Sequence, residues 1–380
     1  MSLVSSLPIL QTGSAFAIPR IESLLIKPAS AVCNLDCEYC FYLDRDADPY
    51  KALSREGLPS RRMSLDTLER LVESYLAYSY PHSSFIFQGG EPTLAGLPFF
   101  EKLVEFQTQY GRSGQVVSNA LQTNAVLLDE NWCKLFRDYN WFLGVSLDGL
   151  ESMHDRYRYN KGGAGSWKQV MQSVALLQKH AVPFNILCVV SQANVGHAAE
   201  LYRFFRSLGV DNLQFIPLAE FDPQGNPLPF TLTAQQYGKF LVDLHQVWQP
   251  DRKTMHIRFF ENILEALAGK KPTTCTMHQS CDSYAVVEYN GDVYPCDFFV
   301  EKPWKLGNIM ADSWGQIAAR PRRLDFASKK SVPHPVCQAC EYQSICHSGC
   351  PKLRTAQHRN FEDLDYFCES YKMIFAKFKT

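Results

Sequence analysis

The sequence predicts an α/β protein that ends in a cysteine-rich region. Three observations carry this. Strand-like and helix-like segments alternate six times between about residues 22 and 218. After about residue 230 that rhythm stops, and hairpin and loop signals replace it. The thirteen cysteines are unevenly placed, three within 33–40 and eight between 275 and 368, with only Cys133 and Cys188 elsewhere. Alternation of this kind implies a parallel sheet covered by helices. A curved partial barrel and an open doubly wound sheet both satisfy it, because periodicity does not show strand order.

The elements follow in order. "SLLIKPA" (23–29) reads as the first strand. Residues 64–79 read as a helix, with Ser64 as N-cap and an apolar stripe of Leu65, Leu68, Leu71, Val72, Tyr75 and Leu76. "SSFIFQ" (83–88), "QVVSNALQT" (115–123), "WFLGVSLD" (141–148), "PFNILCVV" (183–190) and "DNLQFIPL" (211–218) are further strands. Helical patterns fall near 97–110, 128–139, 166–180 and 196–208, then at 233–248 and 259–269. In "AVVEYNGDVYPCD" (285–297), Asn290-Gly291 between two apolar runs signals a hairpin.

Composition narrows the function. Of 380 residues 46% are apolar and 20% charged, enough for a full globular core. The net charge is −1 with no block of one sign, which argues against a nucleic-acid binder. No run of eighteen apolar residues occurs, so no membrane-spanning helix is expected. The first residues lack the basic start of a secretory signal and read as a short disordered arm. A long chain with an odd number of clustered cysteines and no signal points to metal or iron–sulfur ligation in the cytoplasm. Cys133 and Cys188 read as buried thiols.

"CNLDCEYC" (33–40) places Cys33, Cys37 and Cys40 in a C-x3-C-x2-C spacing just after the first strand. Three thiolates can hold three corners of a four-iron cluster and leave the fourth iron open. A three-cysteine zinc site completed by a distant histidine, or three buried thiols, fits the spacing too. "QGGEPTLAG" (88–96) ends the second strand. Gly89 and Gly90 allow close backbone approach to a ligand, and Glu91 with free backbone groups can hold an ammonium. Alone, the same residues make an ordinary turn. The eight later cysteines run Cys275-x5-Cys281-x14-Cys296, then Cys337-x2-Cys340-x5-Cys346-x3-Cys350-x17-Cys368. They complete two four-iron clusters or two zinc ribbons.

C-x3-C-x2-C with Tyr39 before its last cysteine resembles the radical S-adenosylmethionine (SAM) superfamily, and the GGE turn stands where that family binds its cofactor. The resemblance implies that the open iron chelates the amino and carboxylate groups of SAM. One electron then cleaves SAM to methionine and a 5′-deoxyadenosyl radical, chemistry that needs a site closed to water. It also implies cofactor contacts at Ser146, at Arg158 and at the backbone near Ala219. Strand C-terminal ends are the usual ligand edge of parallel sheets.

The downstream ladder resembles the SPASM extension, and within that group the anaerobic sulfatase-maturating enzymes. Shared stretches include "LLIKPAS", "CFY", "FQGGEPTLAG", "LQTN", "FNILCVV", "YPCDFF" and "LGNI". The resemblance implies a partial (β/α)6 barrel over 22–230, connecting helices over 231–274 and a SPASM domain over 275–380, after an N-terminal arm over 1–21. Cys275, Cys281, Cys296 and Cys350 would hold one auxiliary [4Fe–4S] cluster, and Cys337, Cys340, Cys346 and Cys368 the second. Asp297 would be the catalytic base. Tyr42 and Gln88 would line the substrate pocket or simply pack. The implied substrate is a cysteine or serine in an unfolded sulfatase, oxidised to Cα-formylglycine. The implied electron source is an external flavodoxin or ferredoxin. One alternative is a SPASM maturase that makes thioether or carbon–carbon crosslinks. Many of those carry an N-terminal recognition domain of roughly eighty residues, of ordinary domain size, and here the first strand starts about twenty residues in. Another alternative is a non-catalytic zinc-ribbon protein.

Overall fold

The computed structural model describes residues 20–42 and 61–379; residues 1–19 of the expected arm lie outside them. The first six strands are β1 (Ser23–Lys27), β2 (His82–Phe87), β3 (Val116–Thr123), β4 (Phe142–Ser146), β5 (Phe184–Val190) and β6 (Asn212–Pro217). They are parallel neighbours in chain order. A doubly wound sheet reverses its order at a switch point. This sheet does not, so it is the partial barrel. The two-residue β7 (His256–Ile257) adds to β6 in parallel.

The hairpin is where periodicity is silent. β8 (Tyr284–Glu288) pairs with β1 in parallel, with Leu24 opposite Ala285 and Lys27 opposite Glu288. β9 (Asp292–Tyr294) and β10 (Gly307–Asn308) follow antiparallel, giving one ten-stranded sheet with β10 and β7 at its edges. The cysteine-rich region thus extends the same sheet rather than starting its own.

Helices α1 (Leu65–Ser79), α2 (Leu97–Tyr110), α3 (Glu130–Asp138), α4 (Glu151–His154), α5 (Trp167–Lys179), α6 (Ala198–Ser207), α7 (Ala234–Trp248) and α8 (Arg258–Leu267) accompany the strands. The Ser64 hydroxyl accepts from the Thr67 N–H at 3.1 Å, as its N-cap position requires. The expected stripe is buried except Leu65, which is exposed in the first turn. β7, β10 and α4 went unread because elements of two to four residues carry no period.

The strands alternate faces. Leu24, Ile26, Phe85, Phe87, Leu143, Val145, Ile186, Cys188 and Val190 belong to the core shared with the helices. Burying one such large side chain contributes about 1.5–3 kcal/mol, so this face holds the helix layer. The opposite face is free to be polar and carries Lys27, Gln88, Gln122 and Ser146. Cys133 and Cys188 are buried in the core, as read. The C-terminal helix Cys368–Phe378 closes against α7, where a Cβ on Gly238 would lie 2.4 Å from the Met373 sulfur.

Candidate functional site at the strand ends

The Cys33–Cys40 loop and the Gly-Gly-Glu-Pro turn interlock. The Gly90 N–H donates to Ser30 O and the Glu91 N–H to Val32 O, both at 2.8 Å. A Cβ on Gly90 would sit 2.1 Å from Val32 O; one on Gly89, whose φ is +127°, would sit 2.5 Å from Ser30 O. What these glycines approach is therefore the cysteine loop itself. Glu91 is wholly buried. Its Oε1 accepts from the Thr93 N–H (3.0 Å), Thr93 Oγ1 (2.6 Å) and Thr123 Oγ1 (2.8 Å), and its Oε2 from the Asn124 N–H (2.8 Å). Burial pushes its pKa up and these hydrogen bonds pull it back. Its side chain faces these protein donors, so what Glu91 does is fix the turn.

A second anchor holds the other side of the loop. The Asp36 and Glu38 N–H groups donate to Tyr159 O and Tyr157 O at 2.8 and 3.0 Å. Asp148, just after β4, accepts from the Tyr39 hydroxyl, from Arg158 Nε at 2.8 Å and from the Val189 N–H at 2.9 Å. Arg158 lies 5.3 Å from the Tyr39 ring centre and lowers the pKa of the Cys37 thiol, which burial pushes up. Cys33 is pushed up by burial, then by Glu91 and by its neighbours Cys37 and Cys40. A bound metal reverses that push, since a coordinating thiol gives up its proton.

His154 supports Asp148 from behind. Its Nδ1 accepts from the Asp148 N–H at 3.2 Å, so its proton is on Nε2 and is given to Ser166 Oγ at 2.9 Å. Ser166 Oγ in turn donates to Arg158 O at 3.0 Å. Burial, the largest cause, lowers the His154 pKa from 6.5 to about 4. The unfolded chain binds this proton more tightly, so His154 weakens the fold as pH falls from about 6.5 towards 4. The loss reaches roughly 3 kcal/mol when both states are protonated. We expect His154→Gln to show a flatter pH dependence of thermal unfolding than the parent over that window; parallel curves would contradict it.

Asp297 follows Cys296 at the end of the hairpin and is buried. Its Oδ2 accepts from the Tyr42 hydroxyl at 2.6 Å and Gln88 Nε2 at 3.2 Å, and its Oδ1 lies 2.7 Å from Lys27 Nζ. Lys27 also pairs with Glu288 at 3.3 Å and stands 4.6 Å from the Tyr42 ring centre. Tyr42, Gln88 and Asp297 thus meet. Lys27 was missed, although a lysine closing an apolar strand was the available signal. Asp148 was missed too, and it gave no signal beyond an acid after a strand. Ser146 Oγ accepts from Gln122 Nε2 at 3.1 Å on the polar sheet face. Ala219 lies after β6, and its carbonyl accepts from Lys352 Nζ at 3.0 Å.

The eight later cysteines gather in two sets. Cys296 feels Cys350, Cys281 and Cys275 as charged neighbours, so Cys350 joins the earlier three. Cys337, Cys340, Cys346 and Cys368 line one small pocket with Tyr342, Tyr371 and Phe375. All thirteen cysteines are free of disulfides. Among the described residues, no three His, Cys, Asp or Glu side chains converge as a single-ion site. Zinc draws its thiolates to about 2.3 Å from one point, whereas a cubane keeps them at separate corners. Two sets of four cysteines are a donor set that two four-iron clusters would take.

The radical SAM superfamily profile matches residues 28–205, and an iron–sulfur cluster-binding domain profile matches 275–341. A serine-type anaerobic sulfatase-maturating enzyme of Bacteroides thetaiotaomicron is 35% identical over 96% of this chain and 90% of its own. A cysteine-type enzyme of Clostridium perfringens is 36% identical over 93% of this chain and 95% of its own. The chain belongs to the anaerobic sulfatase-maturating enzymes. A solved structure of native anSMEcpe with bound AdoMet and Cp18Cys peptide superimposes with a TM-score of 0.85 at 35% identity, covering 93% of this chain and 96% of that one. As a radical SAM enzyme with a SPASM extension, this sulfatase-maturase family member uses SAM and [4Fe–4S] clusters. The open three-cysteine loop suits the SAM-binding cluster, and the two complete sets suit the auxiliary pair. No helix among the described residues is long and apolar enough to cross a membrane.

Proposed function

We propose that this enzyme oxidises Cβ of a cysteine or serine in an unfolded sulfatase segment, giving Cα-formylglycine. The carrying observation is Asp297, held by Lys27, Tyr42 and Gln88 between the open cysteine loop and the first auxiliary set. Cys33, Cys37 and Cys40 would hold the SAM-binding cluster and the two later cysteine sets the auxiliary pair, and these groups would supply hydrogen-atom abstraction at Cβ and one-electron uptake. Asp297 accepts the thiol or hydroxyl proton. A cation 2.7 Å away favours the carboxylate over the acid, and only the carboxylate can accept. Tyr42 and Gln88 orient its Oδ2, leaving a fixed acceptor beside the substrate. One hydrogen atom, one proton and one electron are removed in all. Serine becomes the aldehyde directly; cysteine becomes a thioaldehyde that water converts to the same product with release of hydrogen sulfide.

The Gly89–Glu91 main-chain carbonyls, Ser146, Arg158 and the Ala219 backbone are the proposed SAM contacts. Since the Glu91 carboxylate is taken up by protein donors, the ammonium falls to the main chain. A one-electron carrier such as flavodoxin or ferredoxin supplies the starting electron. Thirteen free thiols support a reducing cytoplasm. Relatives of serine and cysteine type are equally similar, at 35% and 36%, so both peptides belong in the test. Anaerobic protein, reductant and SAM are incubated with each peptide, and the product is read by mass spectrometry after hydrazine labelling. A labelled aldehyde is expected from at least one peptide. A cyclic, crosslinked product without an aldehyde would overturn the reading in favour of a crosslinking maturase.

A further inference from the structure

A buried cation lies beside the first auxiliary cysteine set. Lys330 stands in the last turn of the helix Pro321–Ser331 and is 1% exposed. Its Nζ donates to Thr276 O at 2.8 Å and to Gly349 O at 2.6 Å. Those carbonyls belong to the chain neighbours of Cys275 and Cys350. Gly349 also follows Cys346 by three residues, which brings the ammonium near the second set.

The surroundings hold Lys330 and its counter-charge in place. Arg354, equally buried, donates to Ser348 O at 2.8 Å and to Lys330 O at 3.1 Å, tying the 347–350 loop to the end of that helix. Asp365 lines the pocket of the second set and accepts from the Cys350 N–H at 2.8 Å, so its carboxylate touches both sets. A Cβ on Gly349 would lie 2.1 Å from Asp365 Oδ2, which makes this contact possible only with glycine there.

We propose that Lys330 raises the reduction potential of the auxiliary clusters, the first more than the second, and so makes them acceptors for the electron leaving the oxidised residue. A cubane with four thiolates is already anionic, and each added electron deepens that charge. A fixed cation in a poorly polarisable interior favours the reduced form. No bond forms or breaks at Lys330. The electron leaves the auxiliary pair for an external one-electron carrier. Lys330 is a positioning residue for charge, acting through the clusters. The inference rests on the reading that these clusters carry the electron away.

The test is a redox titration of the anaerobic full chain with its clusters, followed by electron paramagnetic resonance and absorbance, without peptide. Failure here would leave the formylglycine assay untouched, so the two readings fall separately. Lys330→Gln keeps a donor and removes the charge. We expect at least a tenfold fall in the equilibrium constant for reducing the first auxiliary cluster, about 59 mV for one electron, and a smaller fall for the second. Asp365→Asn keeps the acceptor for Cys350 and removes a negative charge, so it should shift potentials upward. Parental potentials in Lys330→Gln with full iron content would overturn the proposal. Should Lys330→Gln fail to load iron, Lys330→Met is titrated in its place: a lower potential supports the proposal, and parental potentials overturn it.

Discussion

Replacing Asp297 by asparagine is expected to lower formylglycine formation by about 10²–10⁴-fold, the usual range for losing a positioned base. Asparagine keeps the size and can still face Tyr42 and Gln88, but it cannot accept the substrate proton. Lys27 loses the carboxylate at 2.7 Å and keeps Glu288 at 3.3 Å, so the pocket retains a counter-charge. The hydrogen atom is still removed, because that step does not pass through the carboxylate. The checking measurement is single-turnover formation of product and of 5′-deoxyadenosine, alongside iron content. Product at the parental rate with all clusters present would remove Asp297 from the mechanism.

Gly90→Ala is expected to abolish activity by a different route. The added methyl would lie 2.1 Å from Val32 O and 2.5 Å from Val32 C, both backbone atoms that no rotamer can move. Relief requires the cysteine loop and the turn to part, breaking the Gly90–Ser30 and Glu91–Val32 hydrogen bonds. The loop presents Cys33, Cys37 and Cys40, so the SAM-binding cluster is lost while the auxiliary pair stays. Iron should fall by about a third, from roughly twelve per chain, and SAM binding should vanish. Gly196→Ala is the control, since its Cβ meets nothing within 4 Å. Full iron and unchanged SAM affinity in Gly90→Ala would show that the interlock is dispensable.

Most of the architecture was legible because it is written locally. The six β-strands and their amphipathic helices repeat short periods, and the cysteine spacings are dense enough to read without a fold. Cys350 could be grouped with Cys275, Cys281 and Cys296 only through the resemblance. Contacts between distant segments were not legible. Lys27 meets Asp297, 270 positions later in the numbering, only because β8 pairs with β1. Asp148 gathers Tyr39 and Arg158 from two loops and Val189 from β5. The Gly-Gly-Glu motif was placed correctly, but its physical reason differed, since its glycines accommodate the cysteine loop and its glutamate faces inward.

The pairing of β1 with β8 also sets a timetable. Residues 23–27 leave the ribosome long before their partners at 284–288 exist. At about 5–20 residues per second, β1 waits roughly ten to fifty seconds with one edge unpaired. An unpaired edge is a template for association with other chains. The nascent chain must therefore be shielded, or made slowly and sparsely, until the hairpin arrives. Metal loading inherits the same schedule. Cys33, Cys37 and Cys40 emerge together, whereas Cys368, the last of the proposed auxiliary ligands, emerges more than 300 residues after them.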